Sequence, residues 1–389
     1  MIGCITILFI APQAINTAAT SICDHVLWHF DKVYNRTMSN LNKSPNPIIN
    51  IHPLGASPTP WPTMDPFLFC VYHDDKYPAG NGNLAPNASL SGRQIGQDFS
   101  GKDGWSMYHG QTVPGFPSHP HRGFETVTIV RKGLIDHSDS LGATARFGGG
   151  DTQWLTAGGG IVHSEMFPLM DTTKPNPLEL FQIWLNLPAK SKMVPAHFTM
   201  LWNEKIARHT ATDLNGKTTE IAVIAGSLMD KVGAKALPPP PDSWASQPES
   251  DLAILTLKLA PSARWTLPKA LKQDTKRQLY CFKGRKVTVA EQAVGYAMAE
   301  LRGDVDVEIF NGGNELAEFL LLQARPIGEP VAQYGPFVMN TQTEIRQAIN
   351  DYQRTQFGGW PYKDSAPVHG RDPARFAKHV SGKEERPVA

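Results

Sequence analysis

Two pairs of metal-ligand side chains, His119-Pro-His121 and His163-Ser-Glu165, stand at i, i+2 spacing, each wrapped in glycine and proline turns. In an extended strand, residues i and i+2 point to the same face, so each pair can aim both side chains into one barrel interior. Three imidazoles and one carboxylate leave two positions open on a six-coordinate ion, as is needed when substrate or dioxygen must also bind. A single histidine is more often structural than ligating; two strand-spaced pairs shift that balance. No cysteine joins the set, so an open site for Fe, Mn, Ni, Co or Cu suits it better than a closed structural zinc.

The surrounding chain reads as all-β. Short β-branched and aromatic runs at Phe67 to Tyr72, Thr126 to Arg131, Gly133 to Ser138 and Leu180 to Leu187 are separated by turns rich in Gly, Asp and Asn. A second β-rich half holds Ile221 to Ile224, Leu252 to Leu259, Gln278 to Phe282, Lys286 to Val289 and Val305 to Phe310. The proline tract Leu237 to Asp242 reads as a loop inserted into that half. Residues 40 to 65, rich in Asn, Ser and Pro, read as a linker after which the fold begins. One helix is expected near the end: Thr341-Gln-Thr-Glu344 has capping-box spacing, and Ile345, Ala348, Ile349 and Tyr352 follow at helical period. Gly358-Gly359 should end it, and its expected role is to close one barrel.

With 389 residues the chain is long enough for two domains, each with its own core. Lys plus Arg (37) balance Asp plus Glu (36), and no basic run carries interleaved aromatics, which argues against direct nucleic-acid binding. Cys4, Cys23, Cys70 and Cys281 form no CxxC pair, consistent with a reducing compartment. The first 19 residues are apolar around Ile5 to Ala11 but lack a basic start, since the first Lys or Arg is Lys32, and Pro12 and Gln13 interrupt them. They are too short to span a membrane and form an incomplete signal-peptide pattern, so the location expected is cytoplasmic.

The blocks His119-Pro-His-Arg-Gly-Phe-Glu-Thr-Val127 and Gly150-Asp-Thr-Gln-Trp-Leu-Thr-Ala-Gly-Gly-Gly-Ile-Val-His-Ser-Glu-Met166 resemble those of the pirin family. So do Gly133 to Ser140, Phe181 to Leu187, Pro326 to Pro330 and Gly335 to Thr341, in the same order, over roughly residues 60 to 380. The resemblance implies two tandem cupin (double-stranded β-helix) barrels and one Fe(II) per chain. It divides the chain into an extension and linker (1–60), a metal-bearing barrel (61–205), a barrel without metal (206–325) and a segment with the packing helix (326–389). Family members normally start near the equivalent of residue 50. The implied activity is that of a quercetin 2,3-dioxygenase-like oxidoreductase acting on a flavonol-like molecule and dioxygen. The alternative is a non-enzymatic, iron-redox-sensitive regulator that binds a protein partner; a cupin isomerase or decarboxylase is a third reading.

Two carboxylates compete for the metal. Glu125 stands at the general cupin spacing after His119 and His121 and shares their strand parity, whereas the pirin pattern assigns Glu165, leaving Glu125 a supporting or structural role. Glu165 is also the catalytic candidate, because an oxygen not bound to metal can accept the flavonol hydroxyl proton. Phe116, Trp154 and Met166 are the expected pocket walls. His137-Ser-Asp139 has ligand spacing but a polar turn explains it, and Gly148 to Gly150 and Gly158 to Gly160 read as barrel-corner turns rather than phosphate loops. No histidine lies between His209 and His369, so a single site per chain, in the first half, is expected.

Overall fold

The computed structural model describes residues 46–388; the expectations for the N-terminal segment, Cys4 and Cys23 lie outside these. The first half forms ten strands in chain order: β1 (Ile48–Pro53), β2 (Phe67–Tyr77), β3 (Gly115–His121), β4 (Phe124–Lys132), β5 (Leu134–Asp139), β6 (Thr144–Gly148), β7 (Thr152–Thr156), β8 (Ile161–Met166), β9 (Asn176–Asn186) and β10 (His197–Leu201). Ten more follow: β11 (Ala207–Thr212), β12 (Thr218–Ala225), β13 (Ala253–Leu259), β14 (Arg264–Leu267), β15 (Lys276–Lys283), β16 (Val287–Val289), β17 (Gln292–Val294), β18 (Ala297–Leu301), β19 (Val307–Asn311) and β20 (Ala317–Ala324). The end of the chain adds β21 (Ala332–Tyr334), β22 (Phe337–Met339), α1 (Gln342–Thr355), β23 (Phe376–Lys378) and β24 (Glu384–Glu385).

These strands build two double-sheet barrels. The first pairs a five-stranded sheet, β10-β7-β4-β9-β2, with a six-stranded one, β24-β23-β6-β5-β8-β3. The second pairs a seven-stranded sheet, β1-β18-β15-β20-β13-β12-β11, with the four-stranded β14-β19-β16-β17. Val130, Phe147, Leu155 and Leu180 fill the first barrel; Leu255, Leu279, Ile309 and Phe319 fill the second. Between them lies a third core, where Val127, Trp154, Phe181 and Ile183 meet Ile254, Tyr280, Leu320 and Leu322. The five- and seven-stranded sheets are therefore covered on both faces. That is why β4 and β20 read as near-continuous runs of buried residues rather than alternating ones.

Charge also ties the barrels together. Glu179 of β9 accepts from Arg131 and, at 2.7 and 2.9 Å, pairs with Lys132 and Lys283; Arg131 also reaches Glu318 of β20.

Segments near the two ends of the described residues cross between the barrels, unlike a simple tandem arrangement. Ile48–Pro53, within the stretch expected to be linker, pairs with β18 at the edge of the second barrel, and β23 pairs with β6 of the first. The helix starts where the capping box places it: Thr341 Oγ1 accepts from the Glu344 backbone N–H at 3.2 Å. It ends at Thr355, earlier than the glycines suggest, because Gln356 and Phe357 adopt left-handed backbone (φ 50° and 47°). Ile345 and Ala348 pack with Val162, Phe337 and Phe357, and Asp351 pairs with Arg122 at 2.8 Å, so the helix closes the first barrel. Among the described residues no helix is long and apolar enough to cross a membrane.

Candidate metal centre

The antiparallel pairing of β3 and β8 sets His119 directly opposite His163, with a bulge between Phe116 and His119 that lets both β3 histidines approach. The result is a cluster in which His119, His121 and His163 each offer a ring nitrogen within 4.8 Å of the others. Donors at about 2.1 Å from one ion are separated by roughly 3 to 4.2 Å, so the cluster needs only a small contraction to hold a metal. Among the described residues it is the one such group of three or more. Glu165 stands beside the cluster, its Oε2 4.0 Å from His163 Nε2.

The state of the three histidines suits ligation. His119 Nδ1 is 2.8 Å from the Pro117 carbonyl and donates to it, which leaves Nε2 as the lone-pair nitrogen. His163 is fully buried and neither ring nitrogen has a hydrogen-bond partner, an arrangement that costs stability unless something else satisfies it. A metal ion would do so, and the donor set fits one. Burial, reinforced for His121 and His163 by their neighbouring histidines, holds His119 down to about 4 and the other two well below the ordinary histidine range, so all three are neutral. Burial also pushes Glu165 up to about 7, against the lowering influence of His137 and Thr128.

Glu165 is held in place by residues the sequence reading did not single out. Gln182 Nε2 donates to its Oε2 across 3.3 Å, while Thr128 Oγ1 lies 3.3 Å from its Oε1 and 2.6 Å from Gln182 Oε1. Their signal was a polar side chain amid apolar strand residues. The cluster opens into a cavity of about 610 Å³, a size suited to a small-molecule ligand. Phe69, Phe99, Phe116, Phe167 and Trp184 give it an aromatic wall. Of the expected walls only Phe116 is there. Trp154 points into the core between the barrels, and Met166 packs with Leu84 and Val113, because alternate residues of β7 and β8 face opposite ways.

Glu125 is nowhere near this role. Its carboxylate accepts from Thr156 Oγ1 at 2.8 Å and from Ser243 Oγ at 2.6 Å, the latter carried in by the proline-rich loop of the second barrel. The parity shared with the histidines is lost because Gly123, at φ 84°, breaks the strand between β3 and β4, and these belong to different sheets. Only glycine fits there: a Cβ would lie 1.9 Å from the Val338 carbonyl oxygen. His137 makes the polar corner expected of it, with Nε2 3.1 Å from Asp139 Oδ2, whose other oxygen accepts the Leu141 and Ala143 N–H groups. The glycines at 148–150 and 158–160 occupy the β6–β7 and β7–β8 turns.

Two packed double-stranded β-barrels with one three-histidine cluster in the first define a bicupin. The pirin family model matches residues 59–185 and that of the pirin C-terminal cupin domain residues 254–358. Pirin-1 of Arabidopsis thaliana is 36% identical over 249 residues (63% of this chain, 78% of the relative), and pirin of Homo sapiens 33% over 256 (64% and 80%). The crystal structure of a quercetin 2,3-dioxygenase from Acinetobacter baumannii superposes with a TM-score of 0.61 at 28% identity, covering 80% of this chain and 98% of that one. The chain belongs to the pirin family.

Proposed function

We propose that the protein is an iron-dependent dioxygenase of flavonol-type substrates, with one Fe(II) per chain held by His119, His121, His163 and Glu165. The observation that carries the reading is the convergence of three neutral imidazoles, His121 and His163 buried and His119 half-buried, with the Glu165 carboxylate beside an aromatic-walled cavity. Likeness to a quercetin 2,3-dioxygenase supports it. When bound, the ion supplies charge stabilisation and a place where a substrate oxygen and dioxygen meet.

The chain's own residues do the rest. If Glu165 holds the ion through one carboxylate oxygen, the other stays free, so Glu165 suits acceptance of the flavonol hydroxyl proton. Gln182 and Thr128 fix its orientation. Phe69, Phe116 and Trp184 offer faces on which a planar aromatic packs, and they exclude water.

The test is oxygen consumption and carbon monoxide release by iron-loaded protein supplied with quercetin. Uptake well above that of a His163→Ala control is expected. If fully loaded protein shows none, the dioxygenase reading falls, and the regulator reading is examined by comparing partner binding to ferrous and ferric forms.

A further inference from the structure

The segment between β2 and β3 contributes Gly96, Phe99, His109 and Gln111 to the cavity lining, and it buries Tyr108 behind Phe116 of the wall. There the tyrosine meets two side chains of β2. His73 Nδ1 lies 2.8 Å from the Tyr108 hydroxyl, which donates to Asp75 Oδ2 at 2.7 Å; Asp75 Oδ1 accepts the Ser106 N–H at 3.0 Å. All three side chains are buried, and His73 lines the cavity.

The hydroxyl of Tyr108 has one proton, and Asp75 receives it. It therefore accepts from His73 Nδ1–H, which makes Nε2 the unprotonated nitrogen and leaves it for the cavity. Burial holds His73 down to about 4, so the ring is neutral. If Asp75, which burial pushes up to about 7, carries a proton, the chain of bonds reverses and Nε2 becomes a donor. A hydroxyl, both donor and acceptor, fits either state.

Two further observations set this trio apart from ordinary packing. Tyr108 has left-handed backbone at φ 55°, uncommon for an aromatic residue and maintained only where surrounding structure enforces it. Phe116 bridges the trio and the metal cluster, stacking on Tyr108 (5.2 Å between ring centroids) and lying 6.3 Å from His73 and 6.4 Å from His119. The His73 ring contacts Tyr108 and Phe116, the rings of His119, His121 and His163 contact one another, and Phe116 stands between the two groups.

We propose that His73 is a second anchor in this pocket, hydrogen-bonding through Nε2 to a phenolic hydroxyl on the part of the substrate away from the metal centre. Tyr108 and Asp75 are positioning residues that fix its ring. The inference rests on the functional reading above and narrows it: the substrate is a polyhydroxylated aromatic, with one hydroxyl at the metal and another at His73.

The experiment compares quercetin with 3-hydroxyflavone, which keeps the hydroxyl beside the ketone and lacks those on the aromatic rings. Anaerobic binding to metal-loaded protein is followed by flavonol fluorescence for wild type, His73→Ala, His73→Gln and Tyr108→Phe, with metal content measured for each. Wild type should prefer quercetin. His73→Ala should weaken quercetin about tenfold, as expected for one lost hydrogen bond to a buried group, and leave 3-hydroxyflavone unchanged. Tyr108→Phe should weaken quercetin less, and His73→Gln, whose amide can still pair with a hydroxyl, should recover part of the loss; these two variants decide the matter if His73→Ala does not fold. Equal losses for both flavonols, no loss for either, or a wild type that binds neither or both alike would overturn the proposal. Oxygen uptake is measured separately: a wild type that binds both but consumes no oxygen refutes the dioxygenase reading, while the binding comparison still judges His73.

Discussion

Glu125 occupies a general cupin ligand position by spacing and a strut between the barrels by structure, so altering it separates the two. In Glu125→Ala the hydroxyls of Thr156 and Ser243 lose their acceptor and a void opens in a fully buried place. Two hydrogen bonds at about 1 to 1.5 kcal/mol each, plus about 1 to 2 kcal/mol for the lost packing, give a destabilisation of about 3 to 5 kcal/mol. Metal content should stay at one per chain. Glu125→Gln preserves volume and tests the charge. Burial raises the Glu125 carboxyl from its usual 4.5 to about 7, despite hydrogen bonds from Ser243 and Thr156 that favour the charged form. The folded state therefore holds a proton that the unfolded chain releases. This contribution to stability is fully present below about pH 4.5 and is lost as pH rises through about 7. The difference between the two values amounts to at most about 3 kcal/mol. Glu125→Gln has no such proton to lose, so its stability relative to wild type should rise by up to about that amount from pH 4.5 to pH 8. Urea unfolding across this range, with metal analysis of each variant, measures both effects. A Glu125→Ala protein that loses its metal at unchanged stability, or a variant-to-wild-type difference flat with pH, would refute the reasoning.

The metal site itself predicts that His163→Ala and Glu165→Ala purify with well under one metal per chain; full occupancy in either, by elemental analysis, removes that residue from the ligand set. At the barrel interface, burial works against a charged Glu179, but Arg131, Lys132 and Lys283 prevail and hold it down to about 2. Its contribution is present above about pH 4.5 and lost as pH falls toward 2, and Glu179→Gln should cost about 3 kcal/mol at neutral pH by leaving Lys132 without its partner and Arg131 and Lys283 with Glu318 alone. Unchanged unfolding at pH 7 and an unaltered acid limb would show that the network contributes nothing. Thr341→Ala should lower stability by about 1 kcal/mol through loss of the N-cap, with faster amide exchange at Glu344 as the local signature.

Much of this was written locally in the chain. The paired His119, His121, His163 and Glu165 announce their chemistry because i, i+2 spacing is a property of any strand, and the Thr341 cap because its hydrogen bond closes within three residues. Gly123 explains where such reasoning stops: one left-handed residue turns Glu125 away from the histidines whose parity it shares on paper, and a hydroxyl from Ser243, 118 residues on, receives it. Trp154 and Met166 were misassigned as pocket walls for a related reason, since in a strand buried on both faces apolar character no longer says which face looks inward. Nor did composition reveal that Ile48–Pro53 completes the second barrel, because an edge strand needs backbone pairing more than apolar side chains. Sequence by itself determined the candidate ligand side chains, the strand periodicity and the helix start, all set by covalent neighbours. Tertiary structure alone decided which strands share a sheet, and hence that Gln182 and Thr128 hold Glu165 and that His73, Asp75 and Tyr108 meet beside the cavity, since those contacts depend on chain folding rather than spacing.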